Sequence, residues 1–306
     1  MKKSVISALF DLFQPLPQLP TASLEGKTIL IIGVNTGLGF ETAKYLAKLN
    51  PSRLIPTCRN MAKGNVAARR IKEETGFEGV PEVWIVELAD FESVRTFIGN
   101  VVDRVKGREV EVERGLDRLD LLVLNAGVAQ HTNLRYTPTK DGFEHAWSRS
   151  GELTRRMIQA ADKQHLAVMD RTAIDATVDE DGGNIRDQTE NRSRRQRDTK
   201  LLNMFFVRGL NNRLKSKNII INCVNPGLCH SELRRGVQGI RAGLLAIYEK
   251  IFARKTEDGG QLIAWACIGA EGEEDSLRGP YLNVGRVEEP TDFVLREDGN
   301  RRENKL

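Results

Sequence analysis

A short, continuous apolar run, Thr28-Ile29-Leu30-Ile31-Ile32, ends in Gly33-Val34-Asn35-Thr36-Gly37-Leu38-Gly39 and passes directly into a helical stretch over 41–49. No other feature of the chain limits its fold so strongly. An apolar run without alternation has no solvent face, which is the pattern of a strand covered on both sides in a parallel sheet. Glycines in the turn that follows permit a tight bend and a close approach of backbone to a pyrophosphate, held against the positive end of the next helix. The spacing predicts a dinucleotide site built from Gly33, Asn35, Thr36, Gly37, Leu38 and Gly39.

The rest of the chain repeats the same rhythm. Leu54-Ile55-Pro56-Thr57-Cys58 reads as a second strand, with its proline placing it near an end of the sheet. Apolar strand signatures recur over 83–88, 119–124, 165–169, 219–224 and 280–284, and helical patterns over 91–105, 201–214 and 261–270. Alternating strands and helices imply an α/β fold: a single doubly wound parallel sheet, Rossmann-like, with helices on both faces. The expected domain covers 24–296, preceded by an N-terminal arm over 1–23 and followed by a polar tail over 297–306.

Composition excludes several other classes. With 306 residues and 40% hydrophobic content, the chain can bury one large core. Its net charge of +4, from 46 basic and 42 acidic residues, leaves too small an excess for a nucleic-acid footprint. Cys58, Cys223, Cys229 and Cys267 lack CxxC spacing and read as core filler in a reducing compartment. His131, His145, His165 and His230 have no metal-ligand spacing, so no metal is expected. Pro15, Pro17 and Pro20 interrupt the N-terminal apolar groups, which makes a poor signal peptide, and no run approaches the ~20 apolar residues of a membrane span. A cytoplasmic protein is the expectation.

At the end of the second strand, about 20 residues past the glycines, a dinucleotide fold places the residue that reads the adenosine ribose. Arg59 holds that position. A carboxylate there would accept from a free 2′-hydroxyl, whereas a guanidinium pairs with a 2′-phosphate, so NADP(H) is favoured over NAD(H). Asn60 and Lys63 add donors and charge nearby.

The glycine turn, Cys58-Arg59-Asn60, Asn125-Ala126-Gly127 and Asn225-Pro226-Gly227 together resemble the short-chain dehydrogenase/reductase family. Within it, the chain is similar to fungal retinol-dehydrogenase-like members, many of them from secondary metabolism. The likeness covers 24–146 and 200–296. It implies that Glu87-Leu88 lies beside the adenine, where the family has Asp-Leu. It implies too that Asn125, Ala126 and Gly127 line the ribose side, and that Pro226, Gly227 and Leu228 cover the nicotinamide.

The implied activity is hydride transfer between NADP(H) and a small carbonyl or alcohol substrate, with a tyrosine as acid-base group. An unperturbed tyrosine has a pKa of about 10, so it needs a neighbouring cation to work near neutrality. The family supplies this as Tyr-x-x-x-Lys on one helix face. Lys200 matches the lysine, but Gln196 stands in place of the tyrosine. An amide has no titrating proton and cannot replace it. At the end of the fifth strand, Asp170 and Arg171 fall where the family has its serine, with Arg171 the matching position and Thr172 the nearest hydroxyl. Ser150 stands loosely in place of the supporting asparagine.

These changes fall within one segment, 148–198, which is dense in charged and amide residues while its surroundings are apolar. Three readings follow: a catalytically impaired NADP(H)-dependent reductase; a cofactor-binding pseudoenzyme, non-redox catalyst or partner subunit on the same fold; or a mis-spliced or frame-shifted gene over this segment. The family builds its dimer from helices flanking the catalytic site. A short, polar helix after Ser150 implies a weakened or absent homodimer.

Overall fold

All five residues of β1 (Thr28–Ile32) are buried, and they alternate between two separate cores. Leu30 and Ile32 enter one cluster with Val94, Phe97, Ile98, Val101 and Phe205, while Ile29 and Ile31 enter the other with Leu38, Phe40, Leu46 and Ile263. A strand whose side chains alternate in direction and are buried on both faces must lie inside a sheet covered twice. A computed structural model describes residues 14–21, 23–105, 118–126, 166–171, 204–214, 219–230, 240–269, 274–279 and 281–289, and every structural statement below concerns these residues.

The sheet has eight strands: β1, β2 (Arg53–Cys58), β3 (Trp84–Ile85), β4 (Leu121–Leu124), β5 (Leu166–Arg171), β6 (Ile219–Asn225), β7 (Tyr281–Asn283) and β8 (Arg286–Glu288). Their spatial order is β3-β2-β1-β4-β5-β6-β7-β8. All neighbours pair in parallel except β7 and β8, which form an antiparallel hairpin at one edge. The expected doubly wound parallel sheet is therefore present, with the hairpin as an addition.

Five helices are bounded within the described residues: α1 (Gly37–Ala47), α2 (Met61–Thr75), α3 (Phe91–Val105), α4 (Ile240–Phe252) and α5 (Thr256–Ile268). A further helical stretch covers 204–213. In α3, Val94, Phe97, Ile98 and Val101 are buried at the i, i+3, i+4, i+7 spacing of one helix face. Asp90 Oδ1 satisfies the first turn by accepting from the backbone N–H groups of Glu92 (2.8 Å) and Ser93 (3.3 Å). In α2 the Asn60 side chain caps the start, accepting from Lys63 N at 3.0 Å, and Gly76 ends the helix at φ 71°.

Several sequence-based boundaries move. The strand expected over 83–88 is paired only at Trp84 and Ile85, and the helix expected from Glu41 begins at Gly37, inside the glycine turn. Pro56 lies in β2, which is not an edge strand. Arg53 N donates to Lys27 O and Thr57 O accepts from Gly33 N, so odd-numbered residues of β2 face β1. Leu54 O and Cys58 O accept from Glu82 N and Val86 N on the opposite side. Pro56 thus turns its missing donor toward β3, where the ladder is two residues long.

Contact between α1 and α5 closes one face of the sheet. A Cβ on Gly260 would lie 2.4 Å from Glu41 Cβ and 2.9 Å from Thr42 N, and one on Gly259 would lie 2.4 Å from Leu38 Cδ2. The two helix backbones approach this closely because those two positions carry no side chain. At the far end of the sheet, buried Asp120 joins β1 to β4. Its Oδ2 accepts from Thr28 N at 2.9 Å and from Arg118 Nε at 2.8 Å, its Oδ1 pairs with Arg118 Nη2, and Lys27 Nζ lies 3.6 Å away.

Candidate functional site

Strand order reverses between β1 and β4, because the chain winds outward to β2 and β3 and then returns to the other side of β1. At such a reversal the connections leave in opposite directions, which opens a crevice at the carboxyl ends of the strands. The glycine turn follows β1 and Asn125 follows β4, so both motifs meet at this point.

The turn is held from two sides. Gly33 N donates to Thr57 O (3.1 Å) and Thr57 Oγ1 (3.3 Å), and Val34 N donates to Thr57 O at 3.0 Å. From β4, the Asn125 and Ala126 N–H groups donate to Ile32 O at 3.2 and 2.9 Å, and Asn125 Nδ2 donates to Gly33 O at 2.8 Å. Each glycine has a separate reason. Gly33, at φ 88°, lies so close to Ala126 that a Cβ would come within 2.8 Å of its Cα. A Cβ on Gly39 would fall 2.2 Å from both Asn125 Nδ2 and Gly33 O. Gly37 has φ 69° and open space where its Cβ would be.

That open space lies at the N-terminus of α1. Thr36, the cap residue, is extended (φ −157°, ψ 169°) and makes no side-chain cap hydrogen bond. The first turn of α1 also contains no acidic residue. The first N–H groups of an α-helix have no partner within the helix, and with open space before them the geometry of this turn is compatible with a pyrophosphate. Asn35 and Thr36 are exposed there. Leu38 is not: its side chain is 2% exposed and packed against α5, so its contribution to a ligand is limited to backbone.

Arg59 leaves β2 exposed, and Glu87 lies beside it, with Arg59 Nη1 3.9 Å from Glu87 Oε2. Glu87 Oε1 accepts from Ala89 N at 2.9 Å, and Glu87 N donates to Ser93 Oγ at 2.9 Å. Leu88 packs partly against the core containing Val86 and Phe97. Cys58, just before Arg59, donates its thiol to Asn60 O at 3.1 Å. Burial pushes that thiol's pKa up, so it is a protonated packing group and not a nucleophile.

Beyond β6, Asn225 Oδ1 accepts from Gly227 N at 3.1 Å and Asn225 Nδ2 donates to Asn283 Oδ1 at 3.0 Å, fixing the turn at Pro226. Gly227 has φ 76°. Leu228 O accepts from Arg254 N at 2.8 Å. Arg171 is the last residue of β5, paired with Val224, and Asp170 pairs with Leu124 and Cys223. Both therefore stand at the carboxyl end of the sheet, between the turns after β4 and β6. Gly127, Ser150, Gln196 and Lys200 lie outside the described residues.

Sequence reasoning missed Thr57 and Ser93, whose side chains fix the glycine turn and the Glu87 backbone. Thr57 carried a signal, being a lone hydroxyl in an apolar strand. Ser93 carried none until the first turn of α3 brought it back to Glu87. Asn60, expected to add donors near the ribose, also caps α2, accepting from Lys63 N through its side-chain oxygen.

The family of short chain dehydrogenases matches residues 27–153. The short chain dehydrogenase sol3 of Alternaria solani is 30% identical over 301 residues, covering 90% of this chain and 95% of that protein. The short-chain dehydrogenase anuD of Penicillium roqueforti is 28% identical over 332 residues, covering 97% of this chain and 79% of that protein. Human retinol dehydrogenase 13 is 27% identical over 228 residues, covering 71% of this chain and 64% of that protein. Among solved structures, a short chain dehydrogenase from Burkholderia cenocepacia in complex with NADP superposes with a TM-score of 0.62 at 22% identity, covering 85% of this chain and 96% of the other. L-Sorbose reductase from Gluconobacter frateurii, complexed with NADPH and L-sorbose, gives 0.60 at 20% identity, covering 86% and 97%. The structural likeness is one of fold, while the sequence likeness to sol3 runs through nearly the whole of both chains. On that extent of similarity, the chain belongs to the short-chain dehydrogenase family of oxidoreductases.

Proposed function

We propose that this chain is an NADP(H)-dependent reductase or dehydrogenase with an intact nucleotide half and an impaired proton-transfer half. The observation that carries the reading is the built turn. Asn125 Nδ2 on Gly33 O and the open position at Gly37 leave the α1 N-terminus facing a crevice at the strand reversal. Arg59 at the end of β2 supplies the charge for a 2′-phosphate. The bound group would supply or accept a hydride. The chain orients it through Gly33 to Gly39, Asn125 and Ala126, and through the Pro226-Gly227-Leu228 turn. Among similar proteins, the Burkholderia cenocepacia and Gluconobacter frateurii structures hold NADP and NADPH, which supports the cofactor class.

The catalytic proposal follows from residue chemistry. Lys200 can place a cation near the substrate oxygen, but Gln196, four residues earlier, has no proton to transfer at neutral pH. Loss of a general acid costs a factor of about 10²–10⁴, so reduction of an activated aldehyde or quinone by NADPH is expected to be slow. Gln196→Tyr combined with Arg171→Ser restores the missing groups. A rise of about tenfold or more supports an impaired reductase. No rise, in a variant that still binds NADPH, favours the second reading: a binding protein without redox turnover. Gln196 in the sequence four residues before Lys200, where a proton donor is needed, keeps that reading in view.

We further propose one domain over 24–296, with the arm lying on its surface. Gln261 Nε2 donates to Pro17 O at 2.9 Å and Arg254 Nη2 donates to Gln14 O at 2.8 Å, which supports that placement. The sequence after Ser150 is dense in charged and amide residues, a composition that disfavours a self-complementary apolar interface. Sedimentation at micromolar concentration is expected to show a monomer or a weak dimer, and a stable dimer or tetramer contradicts this. If the transcript encodes a tyrosine four residues before Lys200, the segment 148–198 is a gene-structure error and a full reductase follows.

A further inference from the structure

The ribose end of the site carries a fixed negative charge as well as a positive one. Arg59 and Glu87 leave the carboxyl ends of adjacent parallel strands, since Cys58 pairs with Ile85 and Cys58 O accepts from Val86 N at 3.1 Å. The Glu87 carboxylate is held in place. Its Oε1 is engaged by Ala89 N at 2.9 Å, its backbone N–H by Ser93 Oγ at 2.9 Å, and its Oε2 faces Arg59 Nη1 at 3.9 Å. The two side chains are 58% and 38% exposed, so a ligand can reach the guanidinium. A 2′-phosphate arriving there meets a carboxylate already directed at the same cation. A 2′-hydroxyl carries no charge and can donate to that carboxylate.

We infer that Glu87 is a specificity-determining residue that competes with the 2′-phosphate for Arg59, lowering the preference for NADPH over NADH. The inference rests on the NADP(H) reading above and adds to it a residue that weakens discrimination at the same site. Neutralising Glu87 sharpens the preference, because Arg59 then has one anion to serve. Glu87→Gln keeps the Oε1 acceptor for Ala89 N–H and removes only the charge.

The test is titration of NADPH and NADH into the full chain and into Glu87→Gln. The ratio of the two affinities is expected to rise by about three- to fivefold in the variant, the scale of an exposed ion pair. In an Arg59→Ala background the same change is expected to leave the ratio nearly constant. Equal losses for both cofactors would mean that Glu87 serves the adenine alone, and that overturns the inference. A rise that persists without Arg59 also overturns it, since competition for Arg59 is then not the cause. If the unmodified chain binds neither cofactor, the NADP(H) reading itself falls. If it prefers NADPH and Glu87→Gln leaves the ratio unchanged, only the inference falls. Glu87→Leu, which removes the charge by a different substitution, repeats the test should Glu87→Gln not fold.

Discussion

Asn125 donates its side-chain amide to the carbonyl of Gly33 at 2.8 Å, and in doing so joins the end of β4 to the glycine turn that follows β1. The two strands are already paired from Ile29–Leu121 to Ile32–Leu124. The side-chain bond carries that pairing one step past the sheet, into the turn, and Gly39 packs directly beneath it.

Gly39→Ala and Gly37→Ala therefore differ in kind. A methyl at Gly39 meets Asn125 Nδ2 and Gly33 O at 2.2 Å, so the turn must open. The expected cost is about 1–3 kcal/mol of stability, with loss of cofactor binding. At Gly37 the methyl has room, and the cost is only the left-handed backbone, about 1–2 kcal/mol. Chemical denaturation of both variants checks the order. A Gly39→Ala variant that binds NADPH normally would contradict the described turn.

Asp120 governs stability without touching the site. Asp120→Ala strands the N–H of Thr28 and removes the partner of Arg118, leaving a buried donor beside an unpaired guanidinium. Bonds to charged groups of this kind contribute about 1.5–3 kcal/mol, so the melting temperature should fall clearly. Cofactor affinity, measured below that temperature, should be unchanged because the residue lies at the opposite end of the sheet.

A partly buried cluster of charged side chains between α1 and α2 makes a pH-dependent contribution. Glu74 pairs with Lys44 Nζ at 2.7 Å and with Arg70 Nη2 at 2.9 Å, while Lys44 also reaches Glu41 at 2.9 Å. The hydrogen bond from Lys44 is the largest cause holding the Glu74 carboxyl below the usual carboxylate range. Burial works against the Lys44 ammonium, yet its bonds to Glu74 and Glu41 leave its pKa raised. A depressed carboxyl stabilises above its unfolded pKa and loses that contribution as pH falls through the folded value. A raised lysine behaves in the opposite sense and loses its contribution only in strong alkali. Glu74→Gln is therefore expected to cost about 0.3–1 kcal/mol at neutral pH, with the difference vanishing on acidification through the carboxylate range. A difference that grows in acid contradicts the pairing.

Much of this arrangement was legible before the structure. Strands such as Thr28–Ile32 announce themselves because both faces are buried and four consecutive residues, Ile29 to Ile32, are apolar. Helix α2 did not, for a physical reason. Its buried residues are Gly64, Ala67, Ala68 and Ile71, three of them small, so an amphipathic helix shows almost no hydrophobic stripe in its letters. At the site, glycine spacing marked the tight turn after β1, but spacing carries no information about which side chain faces which. Leu38 matched the motif and turned to the core, and Glu87 matched an adenine position and turned to Arg59. Thr57 and Ser93 act through hydrogen bonds that exist only once β2 and α3 are in place.

The central claim is that the end of β2 reads the cofactor's 2′-phosphate through Arg59. Titration calorimetry of NADPH and NADH against the full chain and Arg59→Ala tests it directly. The account predicts tighter binding of NADPH by the unmodified chain. In Arg59→Ala it predicts a loss of about 1.5–3 kcal/mol for NADPH, the scale of a hydrogen bond to a charged group, and almost none for NADH. Equal losses for the two cofactors, or no loss for either, would contradict it.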